Sequence, residues 1–355
     1  MRRIAVLFVH GVEISDPDYA VTPTRLLREA FGRRVGEGGP DPADALCVHA
    51  AHLAPVLEDQ QRAFFERECP GAGALFLEKL GRTVRRITSG EVTALAPMAA
   101  ALLTRKDPAF PEVHWPTARW VLAHFMGDAI AYQVTPSSRE LYDRLHRAYA
   151  DALAVLARKA GGDAPLCVIA HSFGTIVSSD FFYDRETERR TGRVLPPFRA
   201  RARTPLERGE TLAWLWTMGS PMALWSLRYP SATLSAPIAV PAPELAGREE
   251  LRGGWRNLVD DDDLAAWPLQ PLGPEYARAV EDVRVRVSAP PVQWTPLVHP
   301  FYWSDRAVMR PIGERLADAW AALQPAPDRP VRPERGAARR GVEERGRRAP
   351  GRIHP

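Results

Sequence analysis

Residues 167–182 read "CVIAHSFGTIVSSDFF". Cys167, Val168 and Ile169 form a short apolar run of the kind that fills a strand covered on both faces. After it, Ile176, Val177, Phe181 and Phe182 recur at helical spacing. Ser172 stands at the junction, with Ala170 two places before it and Gly174 two places after. A nucleophilic serine on a sharp strand-to-helix turn requires small residues at those positions, because the turn is strained and crowds its neighbours. The bare pattern small-x-Ser-x-Gly is common by chance. Its place between a buried strand and a helix gives it weight against the ordinary alternative, a serine capping a helix.

The rest of the chain supplies the frame. Six strand-like runs stand out: Ile4–Val9, Ala45–Ala50, Leu166–Ala170, Thr211–Met218, Trp255–Val259 and Val283–Ser288. Helical patterns lie between them, at Pro23–Phe31, Gln60–Phe65, Leu75–Ile87, Thr117–Tyr132, Arg139–Arg158, Thr175–Arg189 and Ala307–Leu323. Strands alternating with helices predict an α/β fold with a mostly parallel, doubly wound sheet. Residues 53–136 show no convincing strand and read as a helical insertion, or lid, before the serine-bearing strand. Residues 224–254 are Pro-rich and read as a second lid or a packed loop.

Composition narrows the class. The chain of 355 residues is 45% hydrophobic, enough for a full core. Its net charge of +4 is misleading. Nine arginines stand against four carboxylates from Gln324 to Pro355, so the remainder carries about −1. A specific nucleic-acid groove is therefore not expected in the folded part. Residues 1–324 read as one domain. Residues 325–355, rich in Arg and Pro, are expected to be disordered, because they cannot bury enough surface to offset ordering entropy. No apolar run approaches the roughly 20 residues of a membrane span. The opening "MRRIAVLFVHG" is too short in its apolar part for a secretory leader, so a cytoplasmic protein is expected. Cys47, Cys69 and Cys167 are odd in number and form no CxxC pair, so neither a disulfide framework nor a zinc site is expected.

A serine nucleophile needs a base, an acid that orients the base, and donors for the oxyanion. Hydrolases built on such a turn run in the order Ser, acid, His. Beyond Ser172 and a plausible acid, only His299 and His354 remain, and His354 lies in the tail. His299, in "TPLVHPFYWSD", follows the last strand and is the expected base. The acid is expected in "WRNLVDDDDLAAWPL", after the strand Trp255–Val259. Asp263 is favoured, because the apolar residues after it would anchor it near the sheet; Asp260 is the alternative. Four adjacent aspartates cannot all face one cation, so no metal site is expected. The oxyanion donors are expected at Phe173, after the nucleophile, and Val12, after the strand ending in His10-Gly11, where glycine permits close backbone approach.

The pieces "FVHGV", "IAHSFG", "WRNLVDDDDLAAWPL" and "LVHPFYW" together resemble the α/β-hydrolase superfamily, in its order and over nearly the whole folded chain. Patterns such as "GDAIAYQ", "AHSFGT", "MGSP" and "HPFYW" are similar to those of bacterial esterase/lipase-like members. There are three departures. Ala170 replaces the usual glycine. The two strands that normally precede the "HG" strand are missing. The helical insertion precedes the nucleophile. The resemblance implies a cofactor-free serine hydrolase with Ser172 as nucleophile, His299 as base and Asp263 as its partner. It would act on a small-molecule carboxylic ester or thioester with an apolar acyl or aryl group. Acyl transfer by the same triad, or a non-catalytic hydrolase-fold binding protein, are the alternatives. Asp128 in "MGDAIAY" reads as a structural polar residue in an apolar helix, and Ser220 in "TMGSP" as a turn residue or a donor behind the site.

Overall fold

In the computed structural model the strands pair as one sheet in the order β2-β1-β3-β4-β5-β6, every neighbouring pair parallel. They are β1 (Ile4–Val9), β2 (Leu46–Ala51), β3 (Leu166–His171), β4 (Leu212–Met218), β5 (Gly254–Val259) and β6 (Val280–Arg284). The structure describes residues 2–11, 17–68, 78, 82–83, 86–87, 90–108, 110–135, 138–192, 202–229, 236–251 and 253–324. The expected disordered tail, Val12, Cys69 and most of the expected helix at 75–87 lie outside the described residues.

The continuous apolar character of β1, β3 and β4 has a direct cause. All their residues are buried, because helices cover both faces of the sheet. Side chains alternate between two cores. Ala5, Leu7 and Val9 join the core beneath α3 (Glu140–Ala160) and α4 (Phe173–Thr191). Ile4, Val6 and Phe8 join the opposite core, beneath α1 (Val21–Val35) and α5 (Arg306–Leu323). α3 turns Leu141, Leu145, Tyr149, Leu153 and Leu156 inward at helical spacing.

Two expectations need correction. The last strand runs Val280–Arg284, three residues earlier than the apolar run Val283–Ser288 predicts. It is an edge strand carrying Glu281, Asp282 and Arg284, so an apolar criterion undervalues its first half. The insertion is not wholly helical either. It contains α2 (Ala54–Glu68), a helix over Leu95–Leu102 and an antiparallel hairpin of Lys106–Asp107 with Phe110–His114. Two- and five-residue strands are too short for a period-2 signal to emerge. Residues 224–254 contain short 3₁₀ turns, at Ser226–Arg228, Pro243–Leu245 and Glu249–Leu251.

The topology selects one edge of the sheet. Strand order reverses between β1 and β3, and ligand crevices in open parallel sheets form beyond the carboxyl ends at such a point. Val9 pairs with Ala170, His171 with Met218, and Met218 with Leu258. Four strands thus end level, and His10-Gly11, Ser172, Gly219-Ser220 and the Asp260–Asp263 turn leave the sheet side by side.

α1 and α5 pack through Gly313. A Cβ there would lie 2.6 Å from the Leu27 carbonyl oxygen and 2.7 Å from the Ala30 Cβ. Gly313→Val is expected to lower stability by roughly 1–3 kcal/mol through overpacking. Thermal and urea unfolding followed by circular dichroism check this.

Candidate functional site

Ser172 occupies the turn between β3 and α4 with φ 55° and ψ −133°. A non-glycine residue at positive φ is strained, typically by about 1–3 kcal/mol, and persists only where its surroundings hold it. Two small residues make that hold possible. A Cβ on Gly174 would come within 2.7 Å of the Val9 carbonyl oxygen. A Cβ on Gly11 would lie 2.7 Å from the Phe173 nitrogen and 3.1 Å from the Ser172 Cβ. The end of β1 therefore lies directly against the turn. The Ser172 N–H donates to the Met218 carbonyl at 3.0 Å, and the Thr175 hydroxyl donates to the Ser172 carbonyl at 2.6 Å. The Ser220 hydroxyl meets Thr175 Oγ1 at 2.8 Å and accepts from the Met222 N–H, so Ser220 is both turn residue and buried support.

The structure brings Ser172, His299 and Asp263 together. Ser172 Oγ lies 2.9 Å from His299 Nε2. His299 Nδ1 lies 3.0 Å and 2.9 Å from the two Asp263 carboxylate oxygens. A carboxylate accepts, so Nδ1 carries the proton, Nε2 is free to accept, and the serine hydroxyl donates to it. The Asp263 side chain is 1% exposed and the His299 side chain 15%, so the imidazole edge meets solvent while the acid does not. Asp263 also accepts from the Ala265 N–H at 2.9 Å, which fixes its rotamer.

Asp260, the alternative acid, has another task. One of its oxygens accepts from the Val287 N–H at 2.6 Å and the other from the Asp262 N–H at 3.0 Å, and its own N–H donates to the Tyr302 hydroxyl. It ties the β5 turn to the segment leading to His299. Of the two expected oxyanion donors, Phe173 begins α4, where the helix dipole favours negative charge. Val12 lies outside the described residues. His10 is buried, its ring 5.1 Å from that of His171 and 5.6 Å from that of Trp303. Burial pushes its pKa down to about 3.

Several supporting residues escape the sequence reading. Gly219 adopts φ 54°, and a Cβ there would sit 3.0 Å from Asp263 Oδ2 and from His171 Nε2. Thr217, Asn257 and Asp282 form a polar chain inside the sheet. The Thr217 hydroxyl donates to Asn257, which donates to Asp282 and to the Trp267 carbonyl; Asp282 accepts the Leu269 and Gln270 N–H groups. This chain anchors the loop after Asp263. Its one sequence signal is a threonine and an asparagine inside apolar strand runs.

Asp128 lies apart from the Ser172–His299–Asp263 hydrogen-bond relay. It is 2% exposed, on the insertion, and both its oxygens accept from Gln61 Nε2 at 3.0 Å. Burial pushes its carboxyl up to about 7, against the Gln61 hydrogen bond. Among the described residues no group of three or more His, Cys, Asp or Glu is placed to hold a metal ion, and no helix is long and apolar enough to cross a membrane.

No known protein family, curated protein or solved structure matches the chain.

Two measurements test this account of the site. Glycine relieves the Ser172 backbone and alanine does not, so Ser172→Gly is expected to exceed Ser172→Ala in stability by roughly 1 kcal/mol in urea unfolding. For Asp128, the folded pKa near 7 lies above the unfolded value of about 3.9. The folded state then holds the proton more tightly, so the associated stability is full below about pH 4 and lost as pH rises through about 7. Asp128→Asn is expected to flatten that part of the stability–pH curve.

Proposed function

We propose that the protein is a serine hydrolase of the α/β-hydrolase fold that cleaves carboxylic esters or thioesters. One observation carries this reading: the unbroken relay from Ser172 Oγ to His299 Nε2 and from His299 Nδ1 to Asp263, on a serine held at positive φ. The parallel sheet, the strand-turn-helix setting of the serine and the chain order Ser172, Asp263, His299 support it.

In this mechanism Ser172 Oγ attacks the carbonyl carbon while its proton passes to His299 Nε2. Asp263 holds the imidazole in the working tautomer and stabilises the imidazolium. The tetrahedral oxyanion accepts from the Phe173 N–H, with Val12 as the second donor expected from the sequence. His299 returns the proton to the leaving alcohol or thiol as the C–O or C–S bond breaks. Water, deprotonated by His299, then releases the acid from the acyl-enzyme. No cofactor enters. Exposed apolar residues on the loops beyond the carboxyl ends of β4 and β5 support an apolar acyl or aryl group: Leu224 and Leu227 after Ser220, and Leu264 and Trp267 after Asp263.

Mass spectrometry after incubation with a fluorophosphonate probe tests the reading. One adduct at Ser172 is expected, absent in Ser172→Ala and His299→Ala. On p-nitrophenyl esters of graded chain length, Asp263→Asn should lose roughly 10⁴-fold in turnover through the wrong tautomer. Asp260→Asn should cost about 1–3 kcal/mol of stability and keep Ser172 reactive. A wild type that stays unlabelled and inert would point instead to a binding protein.

A further inference from the structure

We propose that His171 is the positioning residue of His299, setting through the main-chain carbonyl of the base the depth at which its imidazole meets Ser172. The role rests on the hydrolase reading above. His171 Nε2 lies 2.9 Å from the His299 carbonyl oxygen, across 128 residues of sequence. A carbonyl only accepts, so Nε2 carries the proton and Nδ1 the lone pair. The bond closes a small ring. Ser172 reaches His299 by its side chain, and its covalent neighbour His171 reaches the His299 backbone. Nucleophile and base are therefore tied at two points, and neither can slide along the β3 axis without breaking one.

The surroundings suit a neutral donor. His171 is 1% exposed. Its ring lies 4.7 Å from that of His299, 5.1 Å from His10, 5.4 Å from Tyr302 and 5.7 Å from Trp303. The titratable groups facing it are His299 and Tyr302 on the Pro296–Ser304 stretch, His10 after β1, and Asp263 across Gly219, whose Oδ2 and the His171 Nε2 would both lie 3.0 Å from a Cβ at Gly219. Burial first, then His299 and His10, hold its pKa well below the ordinary imidazole value. A cation here would sit beside the base and weaken it. Gly219 leaves the room that the ring needs, since a Cβ would stand 3.0 Å from His171 Nε2.

The test compares His171→Leu, which cannot donate, with His171→Gln, whose amide N–H reaches a similar place. Loss of register at a reacting centre costs on the order of 10²-fold, so His171→Leu is expected to slow fluorophosphonate labelling and ester kcat by roughly 10- to 100-fold. KM should barely move, and His171→Gln should restore most of the rate. A His171→Leu protein that labels as fast as wild type overturns the role. So does a His171→Gln protein of equal stability that is no faster than His171→Leu. Should neither variant fold, ¹⁵N imidazole NMR of the wild type decides. The role requires a neutral ring protonated at Nε2; a ring protonated at Nδ1 overturns it. A wild type that never labels overturns the hydrolase reading and this role with it, whereas a labelled wild type beside an equally fast His171→Leu overturns this role alone.

Discussion

The backbone of Ser172 is the constraint on which the rest depends. At φ 55° it turns the chain from β3 into α4 within one residue, and its side chain projects beyond the sheet edge. Such a turn does not persist by itself. It is held by the Met218 carbonyl on one side, by the Thr175 hydroxyl on the other, and by the end of β1 pressed against it. The spacing of Ala170, Ser172 and Gly174 is thus a packing requirement as much as a chemical one. Any larger residue at Gly174 would enter the Val9 and His10 backbone.

The turn alone would leave a serine hydroxyl with nothing to act on it. The parallel sheet supplies the remainder by ending four strands level, so that their loops leave side by side at one edge. Those loops are not loose. The Thr217–Asn257–Asp282 chain fastens the segment after Asp263 to three strands, and Asp260 fastens the start of that turn to Val287 and Tyr302. Buried polar groups in strands are costly unless paired. Thr217, Asn257, Asp282 and Asp260 each have a partner, and together they hold the loop backbone around Asp263. Stability and geometry are served by the same bonds.

This division explains what could be read from the chain. Ser172, His299 and the strand–helix alternation were legible, because apolar periodicity and chain order are linear properties. Pattern favours Asp263 over Asp260 without deciding between them, since both are buried three residues apart on one turn and only the folded turn shows which carboxylate meets His299 and which meets the Val287 N–H. The start of β6 was misplaced for a related reason: an edge strand is half solvated, and Glu281, Asp282 and Arg284 hide its period. Within "MGSP" and "AHSFGT" nothing marks Gly219 and His171 as neighbours of Asp263 and His299, because those contacts lie 40 and more residues away in sequence.

The electrostatic setting of His299 follows from the same packing. The rings around it are held neutral, each by burial first: His10 down to about 3, His171 well below the ordinary imidazole value, and Tyr302 above the ordinary phenol value, with Asp263 adding to the last. Neutral neighbours place no cation beside the His299 Nδ1–H that donates to the Asp263 carboxylate. They also keep the local dielectric low, which strengthens the hydrogen bond from His299 Nδ1 to the Asp263 carboxylate. On the proposed mechanism, a charged His10 or His171 would repel the imidazolium formed at His299 and oppose proton removal from Ser172. Two further histidines buried beside His299 are compatible with the proposed proton transfer only because burial keeps both uncharged, and it is the aromatic enclosure of Trp303, Tyr302 and Tyr19 that maintains that burial.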